Sequence, residues 1–357
     1  MIQKNLKTSN SLPVNMQKIV VFVALFFLIS CVQIAETEKV KVGAILPMTG
    51  TFSFYGEDQR TGIEVALEEV GDKVEVLYED SAGDNAKAVT AFDKLTNVDG
   101  SEIVITSTSW ISNAVYSQAA DANVLQAIIA SAAFKRTRDD KAVRFTVDVK
   151  DEAPYILDYL KNFNKVAVLH LNNDYGKVWA EILKKNLPVV AIEAYNPGDQ
   201  DVSTQLTKIK AADPDVLVLV STGKEGGLFA KKARELGINV PLASQRPIQS
   251  PELLQAGDAV EGLVYSYPAY DVNHKFVSRY KEKFGKEPTV FAAEAYDSVI
   301  TITKAIEQCG EDASCIHKFF VNNSYDGALG HVTFDEKGDS HYPFLLKQVK
   351  DGKFVMK

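Results

Sequence analysis

From Lys39 onward, short apolar segments alternate with longer amphipathic segments, and this alternation is the strongest constraint on the fold. The apolar segments are rich in valine, isoleucine and leucine, which is typical of parallel strands that are covered on both faces. The predicted strands are residues 40–46, 74–78, 103–105, 124–130, 166–171, 189–192, 216–220 and 263–265. Strands that alternate with helices predict βαβ units, and therefore an α/β fold with doubly wound parallel sheets.

The amphipathic segments carry apolar residues at helical spacing. One helix face is shared by Val202, Leu206 and Ile209, a second by Leu228, Phe229, Ala233 and Leu236, and a third by Val272, Phe276, Tyr280 and Phe284. Gly237, with Pro241 beyond it, predicts the end of the second helix, because glycine adopts the left-handed conformation that terminates helices.

The strand pattern occurs twice, which predicts two lobes rather than one long sheet. Residues 40–130 and residues 166–265 each carry one set of strands, and a length of 357 residues suits two domains. Residues 144–154 and 266–271 contain proline and are predicted to be extended connections between the lobes. Further along, the sequence predicts helices at 272–284 and 291–308 and strands at 331–334 and 344–349.

Residues 1–30 have the pattern of an export signal. Lys4, Lys7 and Lys18 are the only charged residues before Glu36, although the whole chain has a formal net charge of −8. Residues 19–29 are wholly apolar, which is too short for a membrane span but suits the core of a signal peptide. A buried helix is the alternative interpretation of this segment.

The apolar segment ends in Leu28-Ile29-Ser30-Cys31, which resembles the lipobox of bacterial lipoproteins. This resemblance implies that Cys31 is lipidated and becomes the N-terminus, so that lipid chains hold the protein on a membrane surface. The expected location is the outer face of the cytoplasmic membrane or the periplasm. Two alternatives stay open, namely cleavage elsewhere, which leaves Cys31 without a role, and a start at Met16.

Cys309 and Cys315 remain as a pair in an oxidising compartment. On one unbroken helix they would lie about 9 Å apart along the axis, beyond the reach of a disulfide. Gly310 favours a break between two helices, and Asp312 or Ser314 could cap the second helix. We therefore predict a structural disulfide rather than a redox site.

Charge and motifs argue against several classes of function. The acidic chain has no basic stripe, so nucleic acid is not an expected partner. The common nucleophile, phosphate-loop, dinucleotide and zinc-site motifs do not occur, and the histidines have no metal-ligand spacing. Residues 222–227 (TGKEGG) only faintly resemble a phosphate loop and are predicted to be an ordinary turn. No catalytic residue, metal or cofactor is expected, and a ligand-binding protein is favoured over a secreted α/β hydrolase.

Six segments resemble a known family. They are VKVGAILPMTGTFSFYGEDQRTGIEVALEEV (40–70), YEDSAGDNAKAVTAFDKL (78–95), VAVLHLNNDYGKVWAEILKK (166–185), PGDQDVSTQLTKIKAADPDVLVL (197–219), SPELLQAGDAVEGLV (250–264) and GALGHVTFDEKGD (327–339). In this order they resemble type 1 periplasmic binding proteins of the branched-chain amino-acid class, which are the substrate-binding subunits of ABC importers. The resemblance spans nearly all of the chain after the signal segment.

The resemblance implies two lobes joined by three crossings, with the ligand held in the cleft between them. The corresponding lobes are residues 38–147 plus 270–327 and residues 148–269 plus 328–357. It also implies a monomer that binds a small polar metabolite and delivers it to ABC permease subunits. The alternative within the same class is a binding protein that reports its ligand to a membrane receptor.

The resemblance places ligand-binding residues at the ends of strands in both lobes. In the first lobe they are Tyr55, Ser107, Ser109, Trp110, Ser112, Ala130, Ser131 and Ala132, and in the second they are Tyr175, Thr222, Gln245 and Arg246. Helix N-termini at such positions expose backbone N–H groups that can receive a carboxylate. For each of these residues, packing or helix capping is the alternative role.

Two positions depart from the family pattern. Trp110 stands where these proteins have a carboxylate-binding serine, although a shift of one or two residues would place Ser109 or Ser112 there. Gln245 stands where they have a glutamate for the ligand ammonium, and an amide cannot compensate a buried charge. With Arg246 as a nearby cation, we expect an aromatic or other carboxylate, or an amide, to bind more tightly than leucine, isoleucine or valine.

Lipidation of Cys31 can be tested with Cys31→Ser, which removes the thiol that accepts the lipid. We expect this variant to lose acyl labelling and to accumulate as uncleaved precursor. Cys309→Ser is the control and is expected to keep both labelling and processing. Fatty-acid labelling followed by electrophoresis measures both properties, and unchanged labelling of Cys31→Ser would contradict the prediction.

Overall fold

The structure, a computed structural model, describes Met1, residues 39–138 and residues 140–357. The predicted export signal and Cys31 lie outside the described residues. Residues 39–357 form one structural unit.

The first two thirds of this unit alternate strands with helices. In chain order they are β1 (Val40–Leu46), α1 (Ser53–Val70), β2 (Val74–Asp80), α2 (Asn85–Asp93), β3 (Ile103–Ser107), α3 (Ser109–Asp121), β4 (Leu125–Ile129), β5 (Val143–Arg144), α4 (Val149–Leu160), β6 (Val166–Leu171), α5 (Asp174–Asn186), β7 (Val189–Tyr195), α6 (Ser203–Ala211), β8 (Val216–Val220), α7 (Gly223–Glu235), β9 (Leu242–Ser244), α8 (Pro251–Leu254) and β10 (Val264–Pro268).

The last third begins with helices and ends with strands. It contains α9 (Lys275–Phe284), α10 (Val290–Cys309), α11 (Ala313–Asn322), β11 (Tyr325–Gly327), β12 (Gly330–Phe334), β13 (Ser340–His341), β14 (Phe344–Lys350) and β15 (Lys353–Met356).

The first five strands form a parallel sheet in the order β2-β1-β3-β4-β5. Along β1, Val42 and Ala44 pack into one apolar core and Ile45 packs into another. Successive side chains of a strand point to opposite faces, so this division shows that both faces of the sheet are covered. A parallel sheet buried on both faces is one doubly wound lobe.

The second sheet has the order β15-β14-β10-β9-β8-β6-β7. Strands β6 to β10 are parallel, whereas β14 is antiparallel to both β10 and β15. Leu217 and Leu219 pack on one face and Val218 packs on the other. The chain enters this sheet after β5, leaves it after β10 and returns at β14, which confirms the predicted pair of doubly wound lobes.

The structure confirms the predicted bounds of β1, β6 and β8, moves one or both ends of the other predicted strands by one to three residues, and corrects two further expectations. Residues 144–154 are not extended throughout, because α4 begins at Val149 and includes Pro154. Asp148 caps this helix by accepting a hydrogen bond from the Lys150 N–H, and the buried residues Ala153, Ile156 and Leu160 hold the helix in place although Pro154 cannot donate an intrahelical hydrogen bond. Val272 does not belong to α9 and is exposed.

The predicted disulfide between Cys309 and Cys315 is confirmed, with their Cα atoms 5.6 Å apart. Cys309 is the last residue of α10, and Gly310 follows with a φ of 60°. Asp312 then caps α11 by accepting a hydrogen bond from the Cys315 N–H at 2.8 Å. The break between the helices is what brings the two thiols together.

Helices α1 and α10 pack in close contact, and Gly62 makes this possible. A Cβ atom built at Gly62 would lie 2.2 Å from the Ala292 carbonyl oxygen. The contact fixes α10 against α1, which matters because α10 also carries Phe291, a residue of the candidate site.

We expect Gly62→Ala to lower the free energy of unfolding by about 1–3 kcal/mol, because the backbone at Ala292 must move. Gly227→Ala in α7 is the matched control, since its Cβ would meet no atom closer than 3.4 Å. This control is expected to be neutral or to stabilise by up to about 1 kcal/mol through helix propensity. Urea unfolding measures both variants, and equal effects would contradict the role of the α1–α10 contact.

Candidate functional site

The carboxyl ends of strands from both sheets face a shared cavity. Its walls come from the segments that follow β1, β3 and β4 in one sheet and β6, β8 and β9 in the other. Open α/β sheets form ligand sites at this edge because strand ends and helix N-termini converge there. The fold therefore places the candidate site between the two lobes.

Most of the predicted site residues line this cavity. They are Tyr55, Ser109, Trp110, Ala130, Ala132, Tyr175, Thr222 and Arg246. These residues are distant in sequence, so only the arrangement of the two sheets brings them together. Their contact with a ligand stays a prediction.

The other predicted residues lie behind the cavity wall. Ser107, Ser112, Ser131 and Gln245 are buried and do not line the cavity. The hydroxyl of Ser112 faces the sheet, where it lies 3.0 Å from the hydroxyl of Thr106. Gln245 has an extended backbone, in which neighbouring side chains point to opposite sides, and its neighbour Arg246 takes the cavity side.

Sequence patterns missed several cavity residues, including Phe52, Thr146, Asn173, Ser221 and Phe291. Phe52 and Asn173 stand two or three positions before Tyr55 and Tyr175 in the same turns, so their position in the chain could have indicated them. Phe291 lies in the first turn of α10 and carries no comparable signal.

The same local structure places Tyr55 and Tyr175 in the cavity wall. Each is followed by a glycine in the first turn of a helix. A Cβ atom at Gly56 would lie 2.4 Å from the Pro47 carbonyl oxygen, and one at Gly176 would lie 1.9 Å from the Leu171 carbonyl oxygen. Glycine therefore lets each helix begin directly against the end of its strand. Burial raises the pKa of Tyr55 and of Tyr175, so both stay protonated and can donate hydrogen bonds.

Aromatic rings form one wall of the cavity. The ring centroids of Phe52 and Trp110 lie 4.7 Å apart, and those of Tyr55 and Phe291 are also separated by 4.7 Å. The indole N–H of Trp110 donates to the Gly83 carbonyl oxygen at 3.0 Å, which fixes its orientation. This wall offers apolar area and ring faces to a ligand.

The N-terminus of α3 forms a polar part of the wall. Thr108 precedes the helix with a φ of 68°, and no side chain caps this end. The hydroxyl oxygen of Thr108 is buried and has no hydrogen-bond partner among the described residues. Nearby Ala130 also has a positive φ, of 50°. Such backbone conformations are costly for residues other than glycine and concentrate at functional sites.

Arg246 is buried at the cavity and is already committed to protein partners. Its Nε donates to Glu152 Oε2 at 2.8 Å, and its Nη2 donates to the Val147 carbonyl oxygen at 2.8 Å. The hydroxyl of Ser266 donates to the other oxygen of Glu152 at 2.7 Å. Only Nη1 lacks a hydrogen-bond partner among the described residues. Arg246 is therefore not the free cation that the sequence alone would indicate.

The glycine-rich turn at the start of α7 has a packing role. A Cβ atom at Gly223 would lie 2.7 Å from the Ile248 carbonyl oxygen, and one at Gly226 would lie 2.3 Å from Ile248 Cδ1. The buried carboxylate of Glu225 accepts hydrogen bonds from the hydroxyl of Tyr195 and from the Gly198 N–H. The turn is thus an ordinary strand-to-helix connection, as the sequence predicts.

Within the described ranges, no group of three or more histidine, cysteine, aspartate or glutamate side chains is arranged to hold a metal ion. None of the helices in this part of the chain combines the length and the apolar content that a membrane span needs.

A cavity enclosed between the strand ends of two parallel sheets, with aromatic and polar walls, defines a two-lobed protein that binds a small molecule. The family model described as "Periplasmic binding protein" matches residues 39–353. The chain belongs to this family, within its branched-chain amino-acid class.

Individual relatives agree with this assignment. The leucine-, isoleucine-, valine-, threonine- and alanine-binding protein of Pseudomonas aeruginosa is 27% identical over 329 residues, which cover 85% of this chain and 87% of that protein. The leucine binding protein LivK of Thermotoga maritima has a TM-score of 0.81 and 27% identity, and the match covers 89% of this chain and 97% of that one.

A third relative is longer than this chain. The extracellular ligand binding receptor of Desulfohalobium retbaense has a TM-score of 0.86 and 38% identity. The match covers 89% of this chain and 59% of the receptor, so this chain spans little more than half of the receptor's length.

We expect Arg246→Leu to lower the free energy of unfolding by about 3–5 kcal/mol, because it leaves Glu152 buried without its cation. Arg279→Leu is the matched control, since Arg279 is exposed and its partner Glu69 keeps Lys275 and Tyr296 as further partners. Chemical denaturation of both variants measures the difference. Equal losses of unfolding free energy in the two variants would show that the buried pair contributes no more to stability than the exposed one.

Proposed function

We propose that this protein is an extracytoplasmic solute-binding protein that holds a small polar metabolite in the cavity and delivers it to the permease of an ABC importer. The observation that carries the proposal is a set of four unsatisfied polar atoms in the cavity wall, Thr108 Oγ1, Tyr175 Oη, Ser221 Oγ and Arg246 Nη1. Buried polar atoms without partners are costly, and a polar ligand would satisfy them from both sides of the cavity.

The proposed lobes are residues 38–147 plus 270–327 and residues 148–269 plus 328–357. In support, the first set contains the five-stranded sheet and the second contains the seven-stranded sheet. The lobes also touch at the cavity edge, where Asn113 Nδ2 donates to Asp174 Oδ2 at 3.0 Å and Lys135 pairs with Asp174 at 3.2 Å. We infer that this is the closed state of a clamp, because only closure lets both lobes contact one ligand.

The proposed ligands are amino acids and related carboxylates or amides. The name of the Pseudomonas aeruginosa relative supports amino acids. The expectation of a ligand without an α-ammonium group came from Gln245 and Trp110, and only Trp110 lines the cavity. Trp110 and Phe52 favour a ligand with an apolar or aromatic part, whereas the free N-terminus of α3 suits a carboxylate or carbonyl oxygen.

The proposal also covers the place of action. We infer that Cys31 anchors a monomer to the outer face of the cytoplasmic membrane or in the periplasm. The lipobox-like sequence supports the anchor, and membership of the periplasmic binding protein family supports an extracytoplasmic location.

A ligand screen tests the proposed function. Protein that has been unfolded and refolded to remove bound solute is titrated with amino acids, aromatic carboxylates and amides by calorimetry and thermal shift. At least one compound is expected to bind, and at 100-fold excess over its Kd it should stabilise the protein by about 2.7 kcal/mol. Scattering is expected to show a smaller particle with this compound bound.

A pair of adjacent variants locates the binding. Thr108→Val removes a cavity hydroxyl and is expected to raise the Kd of the best ligand about tenfold, which corresponds to the loss of one hydrogen bond. Ser107→Ala removes a buried hydroxyl that also lacks a partner but does not line the cavity, so it should leave Kd unchanged. The proposal fails if no compound stabilises the wild-type protein, and the site is wrong if both variants bind alike.

A further inference from the structure

Glu294 is a fully buried carboxylate in α10, directly behind the cavity wall. Its Oε2 accepts hydrogen bonds from the Ala130 N–H at 2.8 Å and from the Thr146 hydroxyl at 2.7 Å. Its Oε1 accepts from the Tyr342 hydroxyl at 3.1 Å. Ala130 and Thr146 both line the cavity, so Glu294 holds two parts of the wall without lining it itself.

Glu294 also faces the guanidinium of Arg246 from the second lobe. Arg246 Nη1 lies 3.7 Å from Glu294 Oε1, which is too far for a hydrogen bond but close for an ion pair. On its other side, Arg246 is paired with Glu152 at 2.6 Å. One buried cation therefore stands between two buried carboxylates.

The net charge of the cluster formed by Arg246, Glu152 and Glu294 determines which ligand groups can bind beside Arg246. Burial raises the pKa of Glu294 above its ordinary value, and Arg246 and the donors at Thr146 and Ala130 limit that rise by stabilising the carboxylate. Above this pKa Glu294 is ionised, and the cluster then carries one positive and two negative charges. An anion that approaches Arg246 Nη1 then meets a cation whose charge is already offset, and it is also repelled by Glu294.

We propose that Glu294 is a positioning residue that sets the charge selectivity of the cavity. It orients Ala130, Thr146 and Arg246, and its negative charge favours an uncharged group at Arg246 Nη1 over an anionic group of the same shape. This inference rests on the proposed binding of a small polar ligand. It adds that the part of the ligand next to Arg246 is uncharged.

The test uses benzamide and benzoate, which have nearly the same shape but differ by one negative charge. Both are titrated at pH 8 into refolded full-length protein by calorimetry. Wild-type protein is expected to bind benzamide more tightly than benzoate. Glu294→Gln removes the charge and is expected to improve benzoate affinity at least tenfold, while the Kd of benzamide changes less than threefold.

Two further variants separate charge from packing. Glu294→Asp keeps the charge and is expected to keep the preference for benzamide. Asp297→Asn is the matched control, because Asp297 is also a buried carboxylate of α10 but accepts from the Ala328 and Leu329 N–H groups rather than from cavity residues. This control is expected to change stability without changing the ratio of the two Kd values.

The inference is overturned if wild-type protein prefers benzoate, if it does not bind benzamide, or if Glu294→Gln leaves benzoate affinity unchanged or undetectable. The wild-type comparison decides the matter even if Glu294→Gln does not fold. Failure of the proposed function is distinct, because it requires that no compound of the wider screen binds.

Discussion

The buried ion pair between Arg246 and Glu152 is the interaction on which the junction of the two lobes depends. It links the segment after β9 to α4, and through Val147 and Ser266 it reaches the first connection between the sheets and strand β10. A buried charge is tolerated only when its partner is held in place. The first connection and β10 are therefore coupled to one salt bridge, and the cavity lies directly beside it.

The fold was largely predictable because it depends on patterns that repeat. The bounds of β1, β6 and β8 follow from uninterrupted apolar runs, since a strand buried on both faces needs apolar residues at every position. Pro154 shows where such patterns fail. A proline within an acidic, polar stretch indicates an extended chain, but the cap at Asp148 starts a helix that includes it.

The candidate site was predictable only in part, because residues that are neighbours in the sequence can lie on different sides of the cavity wall. Gln245 and Arg246 are neighbours in the sequence, yet one lies behind the wall and the other lines the cavity. No periodic pattern marks Glu294 either, because its partners come from three separate segments of the chain. Residues whose surroundings are assembled from distant segments can be found only once the fold is known.

The Tyr-Gly pairs have a consequence for how such a protein can evolve. A Cβ atom at Gly56 or Gly176 would collide with backbone atoms at the end of the preceding strand or just after it, so a side chain at either position would displace the tyrosine beside it. Trp110 packs against the ring of Phe52 and donates one hydrogen bond to the Gly83 carbonyl oxygen, and neither contact requires the backbone to approach as closely as it does at the two glycines. When the ligand changes during evolution, residues at positions such as 110 can therefore vary while the two glycines are retained. The positions of the two tyrosines are then inherited, whereas the ligand specificity of the cavity is not.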